Sequence, residues 1–271
     1  MQEMYVTVGE TVQVVDMPER SASVLSDVRW GAFDHLLSPA FWYGQIRQAE
    51  MLGLEERYRL GNNLLEEASA CILGGFGFSA EIGLAAFGAL RDRGMLRPET
   101  SAAEIEDLLR QPLVVGGSRR RYRFPKQKAR YVMSAIRSLS DVDLEHLTDL
   151  ELRDHLVRID GVGLKTASWI VRNHRASDDV AIVDIHLVYA CRAMGLVSDV
   201  VLPRDYLFIE RRFLDLCTSM GVSAAVLDSL IWRHVRVLKP VIERHRIDGI
   251  ASADHGDPAG MDTGPYGDSV Q

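Results

Sequence analysis

Lys165 lies two residues beyond the triplet Gly161-Val162-Gly163, and Asp184 follows nineteen residues after the lysine. A Gly-x-Gly turn lets the backbone approach an anion with no side chain in the way, and both glycines are free to take positive φ. The amides that open the following helix then face the anion, aided by the helix dipole. A contact of this kind, made by Gly161, Val162, Gly163 and Thr166, would hold a nucleic-acid phosphate without reading base sequence. Lys165 offers an amine nucleophile. At an ordinary lysine pKa only about 0.04% of the amine is neutral at pH 7. Burial in a cleft favours the free amine. Asp184 has two compatible uses. As a helix N-cap it contributes about 1 kcal/mol. As a catalytic carboxylate it would stabilise the positive charge that develops when a bond to a sugar carbon breaks.

These residues need helices to hold them. Thr148-Asp149-Leu150-Glu151 is a capping box, and it predicts a helix of roughly ten residues through Leu152, Leu156 and Val157. Gly161 and Gly163 end it, and a second helix spans 165–173. Asp184 stands where an N-cap belongs, ahead of Leu187, Val188, Cys191 and Met194. Apolar spacing of three and four predicts further helices at 64–71, 82–91, 208–220 and 226–238. Only 4–15 alternates like a strand, weakly. No repeat recurs at a period of 20 to 50 residues. Residues 248–271 hold five aspartates and five glycines with no Lys or Arg, which predicts a flexible acidic tail.

The net charge of −7 argues against a polyanionic partner, but its distribution argues for one. Residues 108–139 contain no acid and nine Arg or Lys, so this stretch carries +9 and leaves −16 for the remainder. A local basic stripe matters more than the total, because salt confines each field to about 8 Å. A solvated surface facing acids elsewhere in the fold is the alternative. The chain has no run of 18 apolar residues and no basic start followed by an apolar core. The expectations are no membrane partner, no signal peptide, and a cytoplasmic, nucleoid-associated monomer. Cys71, Cys191 and Cys217 are far apart and odd in number, which suits buried thiols. Three cysteines cannot supply the four thiolates of an iron–sulfur cluster.

The pattern Leu156-x-x-Ile159-x-Gly161-Val162-Gly163-x-Lys165-Thr166-Ala167 resembles the helix-hairpin-helix DNA glycosylase superfamily. So do Val183-Asp184-Ile185-His186 and the Lys128-Ala129 pair within 124–132. The close resemblance covers 124–195, and the first 110 residues match only loosely. It implies a mostly α fold in which two helical lobes flank a central cleft with the hairpin at its mouth. The expected division is an N-terminal helical lobe (1–125), a hairpin lobe (126–200) and C-terminal helices completing the cleft (201–247). One lobe would take 130–196 as its core, and the other would mix N-terminal and C-terminal helices. The resemblance also implies a bifunctional reaction. Lys165 attacks the anomeric carbon and displaces the base, and the resulting Schiff base permits β-elimination at the 3′ phosphodiester. Asp184 is the implied essential carboxylate. His186 is either a DNA contact or a structural residue. Arg121, Arg123, Lys126 and Lys128 are expected on phosphates.

The lysine disfavours the monofunctional adenine and alkyl-purine branches, and the missing cysteine cluster disfavours endonuclease III-like enzymes. The nearest branch is then the 8-oxoguanine glycosylase/AP lyase, which shares the nineteen-residue spacing. A damaged or hypermodified pyrimidine stays open as the substrate, as does a non-catalytic hairpin module that only clamps DNA. The implied partner is double-stranded DNA with a modified base or an abasic site. No cofactor is expected beyond a monovalent cation at the hairpin. A flipped base needs a pocket. The candidates are Phe41, Trp42 and Tyr43 together with Trp232 and His234, each equally readable as core. Trp169 reads as core packing. Residues 74–78 (Gly-Gly-Phe-Gly-Phe) are either an aromatic wedge or a helix–helix turn.

Overall fold

The computed structural model describes residues 1–54, 58–75, 79–140 and 142–253. Strands β1 (Gln2–Val8) and β2 (Thr11–Met17) form an antiparallel hairpin. The alternating stretch 4–15 is therefore not one strand. Val8 pairs with Thr11 across a two-residue turn in which Gly9 takes φ +60°. Met4, Val6, Val15 and Met17 face inward, while Tyr5, Val12 and Val14 are exposed. Two short strands follow, β3 (Ser23–Leu25) and β4 (Val28–Arg29), and then α1 (Pro39–Met51), α2 (Leu64–Leu73), α3 (Ala80–Asp92) and α4 (Ala102–Arg110). A second hairpin joins β5 (Leu113–Val115) to β6 (Ser118–Arg120) through Gly116 and Gly117, both at positive φ as such a tight turn requires. The remaining helices are α5 (Pro125–Leu139), α6 (Asp149–Leu156), α7 (Leu164–Arg175), α8 (Ile185–Ala193), α9 (Tyr206–Met220) and α10 (Ala224–Ala253).

The apolar side chains divide between two cores. One gathers β1, β2, α1, α8, α9 and α10. The other gathers α2 to α7. The lobes thus divide differently from the linear expectation. Helices α2 to α4 pack with α5 to α7 and form no lobe with α1, so 125 is not a boundary between cores. Nor does the hairpin lobe extend to 196 or 200. Val180 belongs to the second core and Ala181 to the first, so the chain crosses between lobes at that bond. Helix α8, with Asp184 at its head, lies on the far side. Which apolar faces meet across tens of residues is decided by three-dimensional fit, and periodicity does not report it.

Around the hairpin the local signals hold. Both capping-box bonds of Thr148 and Glu151 form at the start of α6. The helix stops at Leu156 because Val157 closes it as the C-cap. Leu152 and Leu156 of α6 and Ile170 and Val171 of α7 are fully buried in the second core. Each such side chain contributes roughly 1.5–3 kcal/mol by leaving water, and this sets the two helices on either side of the turn. Helix α10 continues past Leu238 and Pro240 to Ala253, so the change of character expected at 248 does not end it. Residues 254–271 lie outside the described residues. Among the described residues no single helix is long and apolar enough to cross a membrane.

Candidate active site at the lobe junction

The hairpin turn is built from its own backbone. Ile159 N donates to Leu156 O and Val162 N to Ile159 O, each at 3.0 Å, while Asp160 N reaches Ser134 Oγ of α5 at 3.1 Å. Gly161 is required twice over. It sits at φ +79°, and a Cβ there would fall 2.2 Å from the Tyr131 ring. Gly163 acts differently from expectation. Its backbone is extended (φ −95°, ψ 178°), so it does not use glycine's positive φ. It contributes empty space, since a Cβ there would meet nothing within 4 Å. Val162 is buried and its amide is engaged in the turn, which removes it from the expected phosphate contacts. What remains open is the head of α7. Its N-cap has no side-chain acceptor and its first turn has no acid, so the amides of Leu164, Lys165 and Thr166 are unclaimed among the described residues.

Helix α7 begins where the lobes meet. Leu164 packs against the first core, while Ala167 and Ile170 lie in the second. Between them Lys165 is exposed and forms no ion pair among the described residues. The burial expected around its amine is absent from the DNA-free chain. Asp184 caps α8 as expected: Oδ1 accepts from His186 N at 2.8 Å and from Leu187 N at 2.9 Å. Oδ2 has no donor among the described residues. His186 holds its place through that backbone bond and stays half-buried in the first turn of α8. The charges of both candidate groups act on Asp228 of α10, which is 4% exposed. Burial pushes the Asp228 carboxyl up to about 6. Arg172, the Ile182 amide and Lys165 oppose the rise, and Asp184 adds to it. The charges of Lys165 and Asp184 thus reach the same buried group from different lobes.

The basic stretch divides into two kinds of residue. Arg119, Arg120, Arg121, Arg123 and Lys126 are exposed and form no ion pair with a carboxylate among the described residues. Arg123 lies over the Phe124 ring at 4.9 Å. Several arginines elsewhere are matched to acids, as in Arg175–Asp149 at 3.0 Å and Arg212–Asp27 at 2.6 Å. Helix α5 carries the basic end to the hairpin. Gln127 Nε2 donates to Tyr131 Oη at 2.9 Å, and Tyr131 lies against Gly161 less than two turns from the helix start. Lys128 departs from the expected phosphate contact. Its Nζ donates to Ile72 O and, at 3.3 Å, to Gly74 O, bracing the last carbonyls of α2. It is half-buried, and burial holds its ammonium below the usual lysine range. It is not placed to meet a phosphate.

The aromatic candidates do not form one pocket. Trp42 is 0% exposed and lies in the first core. Phe41 meets it edge-on at 5.0 Å and His234 at 6.1 Å. Its Nε1 has no hydrogen-bond partner among the described residues. Trp232 stands apart, 42% exposed, with Arg236 over its ring at 4.5 Å. Residues two apart on a helix do not share a face, which separates Trp232 from His234. Tyr43 pairs with Trp30 at 5.5 Å. Trp169 packs beside Gly74, as core packing requires, while residues 76–78 of the wedge segment lie outside the described residues. The three cysteines are buried and free, their thiols pushed up by burial.

Two carboxylates behind Asp184 escaped the sequence reading. Glu210 and Asp228 are buried, and each falls on the apolar stripe of its helix: Tyr206, Ile209, Phe213 and Cys217 for one, Ala224, Leu227, Ile231 and Val235 for the other. An acid on such a stripe is the signal that could have found them, because a charge is buried only when something binds it.

Two helical cores that meet at an open hairpin, with a lysine in the first turn of one helix and a carboxylate capping the next, are the pattern of a helix-hairpin-helix glycosylase fold. The family model for 8-oxoguanine DNA glycosylase matches residues 47–222, more than half of the chain, and the chain belongs to that family. It is 29% identical over 122 residues to an "8-oxoguanine DNA glycosylase/AP lyase" of Saccharolobus islandicus, covering 41% of this chain and 58% of that relative's length. A relative of the same description from Metallosphaera sedula is 28% identical over 194 residues, 68% of this chain and 90% of the relative. The solved 8-oxoguanine glycosylase/lyase of Methanocaldococcus jannaschii, in complex with a 15mer DNA containing 8-oxoguanine, shares the fold. Its TM-score is 0.56 at 24% identity, over 71% of this chain and 94% of that one.

Proposed function

We propose that the chain is a bifunctional DNA glycosylase and AP lyase that excises 8-oxoguanine from double-stranded DNA and then nicks the strand. The observation that carries this reading is that Lys165 and Asp184 stand at the heads of helices rooted in different cores yet joined through one carboxylate, Glu210, which binds both Ser168 Oγ and Ala181 N. Family membership and the names of the relatives support the substrate. A phosphate seated on the open head of α7 would draw the sugar towards Lys165. Nζ attacks C1′, and the C1′–N bond breaks with its electron pair leaving on the base, which takes up a proton. The amine loses a proton and the sugar ring opens to a C1′=N Schiff base. Loss of a C2′ proton then forms C2′=C3′, and the C3′–O bond breaks to release the phosphate-ended strand. The free Oδ2 of Asp184 faces the positive charge that builds as the base departs, while Oδ1 keeps the carboxylate aimed. Bound DNA would cover the exposed lysine and exclude water from it. One copy of the chain supplies both groups, so a monomer suffices.

A monovalent cation at the hairpin belongs to the same reading. The carbonyls of Gly161 and Val162 accept no hydrogen bond among the described residues, and oxygen donors of this kind suit such an ion. No step passes through it. The test is borohydride trapping on duplexes carrying 8-oxoguanine, an oxidised pyrimidine or an abasic site. A covalent adduct with 8-oxoguanine DNA that is absent from Lys165→Ala is expected. Salt-sensitive binding without an adduct on any substrate would overturn catalysis. An adduct on the pyrimidine lesion but not on 8-oxoguanine would overturn the substrate.

A further inference from the structure

Behind Asp184 one buried carboxylate joins three elements. Glu210 of α9 is 4% exposed. Its Oε1 accepts from Ala181 N at 3.0 Å and from Ser168 Oγ at 3.3 Å, and its Oε2 accepts from Arg153 Nη1 at 2.6 Å. Arg153 lies on α6 and Ser168 on α7, the two helices that flank the hairpin. Ser168 follows Lys165 by three residues, and Ala181 precedes Asp184 by three. The rest of the lead-in is held in the same way. Asp228 Oδ2 accepts from Ile182 N at 3.1 Å, and Tyr206 Oη accepts from Val183 N at 3.3 Å while donating to Ala181 O at 2.8 Å. All three backbone amides ahead of Asp184 are therefore bound by side chains of α9 and α10.

Packing alone does not need this arrangement. Replacing a buried ion pair with apolar side chains often leaves stability unchanged or raised, and its best-attested use is to fix register. Here the register in question lies between lobes. Ala167 and Ile170 belong to one core and Ala181 to the other, and non-directional apolar contacts across the boundary, such as that of Leu164, set the offset less sharply than hydrogen bonds such as Arg172 Nη1 to Ser229 Oγ at 2.6 Å. Glu210 spans that boundary with directional bonds on both sides.

We propose that Glu210 is a positioning residue for the proposed reaction, fixing the offset between Lys165 and Asp184 by tying both hairpin helices to the segment that ends in Asp184. The inference rests on the glycosylase/lyase reading above. Misplacing a reacting group by about 1 Å can cost 10²-fold in rate. Glu210→Gln keeps an acceptor for Ala181 N and loses the one for Arg153. The double variant Arg153→Gln with Glu210→Gln restores a neutral amide link. Ser168→Ala removes only the bond to α7.

The experiment is single-turnover excision on an 8-oxoguanine duplex, with active sites counted by borohydride trapping and affinity measured on a duplex carrying a tetrahydrofuran abasic analogue. Glu210→Gln should slow the rate constant per active site at least about 10-fold with affinity within about two-fold, and the double variant should recover part of the rate. A purely structural role would lower the number of active sites and leave the rate constant of those remaining unchanged, and that result overturns the proposal. Should Glu210→Gln not fold, Ser168→Ala decides. A slower rate constant at unchanged affinity in Ser168→Ala supports the tie, and a wild-type rate constant there overturns it. An inactive wild-type chain would sink the glycosylase reading itself, whereas an active wild type with an unaffected Glu210→Gln sinks only this inference.

Discussion

Helices α7 and α8 both begin at the lobe junction, and their heads are finished in opposite ways. The head of α7 is bare: Gly163 supplies no capping side chain, no acid occupies the first turn, and a Cβ at 163 would stand in open space. The head of α8 is closed by Asp184, whose Oδ1 binds two amides. A bare head costs a little stability, since a capping side chain is worth roughly a few tenths of a kcal/mol over glycine, but it leaves donors aimed at an outside anion. A capped head consumes its own donors and fixes a carboxylate in one direction. The pair shows how one local feature, a helix start, leaves backbone donors open at one head and fixes the direction of a carboxylate at the other.

The largest expected effect comes from the residue beside the bare head. Lys165→Ala should abolish the borohydride adduct and lower strand cleavage by at least roughly a thousand-fold. The capped head is next. Asn caps about as well as Asp, so Asp184→Asn should melt within about 1 kcal/mol of wild type yet lose about 10²–10³-fold in single-turnover excision. Asp184→Ala should lose the excision and the cap together, and equal losses of rate and stability in both variants would mean that the cap is the whole role. Making the two heads alike gives a third test. Gly163→Asp should cap α7, raise the melting temperature, and weaken binding to an abasic-analogue duplex by about 10-fold through repulsion of the phosphate. Unchanged affinity would remove the bare head from the DNA contact.

Beneath both heads lies Asp228, and its titration gives a pH prediction. Its carboxyl is raised from 3.8 to about 6, so the folded chain holds this proton more tightly than the unfolded chain does. The group's contribution to stability is complete below pH 3.8 and is lost as pH rises through about 6. Asp228→Asn keeps an acceptor for Ile182 N. It should stabilise the chain above pH 6 by up to about 3 kcal/mol and flatten the profile between 4 and 6, read by urea melts across pH. The smallest effect belongs to the rim. Arg121→Ala should reduce the log–log salt slope of DNA binding by about 0.9, while Lys128→Met should leave that slope alone and lower the melting temperature, because Lys128 braces α2.

The legible part of this molecule is its local part. The capping box at Thr148, the glycine at 161 and the N-cap at Asp184 each depend on residues within a few positions, and each formed where the sequence pointed. The misreadings share one cause. Lys128 looked like a phosphate contact because a flexible cation in a basic run gives no hint of the Ile72 and Gly74 carbonyls more than fifty residues away. Trp42 stayed open between pocket wall and core, because an aromatic side chain reads alike in a core and in a cleft. Helix α8 was grouped with the hairpin because it follows it in the chain, whereas its apolar face fits α9 and α10.

By itself, then, the sequence determined the candidate groups and the turn that presents them, since backbone conformation and capping are settled by near neighbours. Only the tertiary structure decided that Lys165 and Asp184 enter from different lobes, that Glu210 and Asp228 stand behind them, and that Lys128 faces inward. Those outcomes depend on which apolar faces find each other and which buried charges find partners, and both are settled by contacts between residues far apart in the chain.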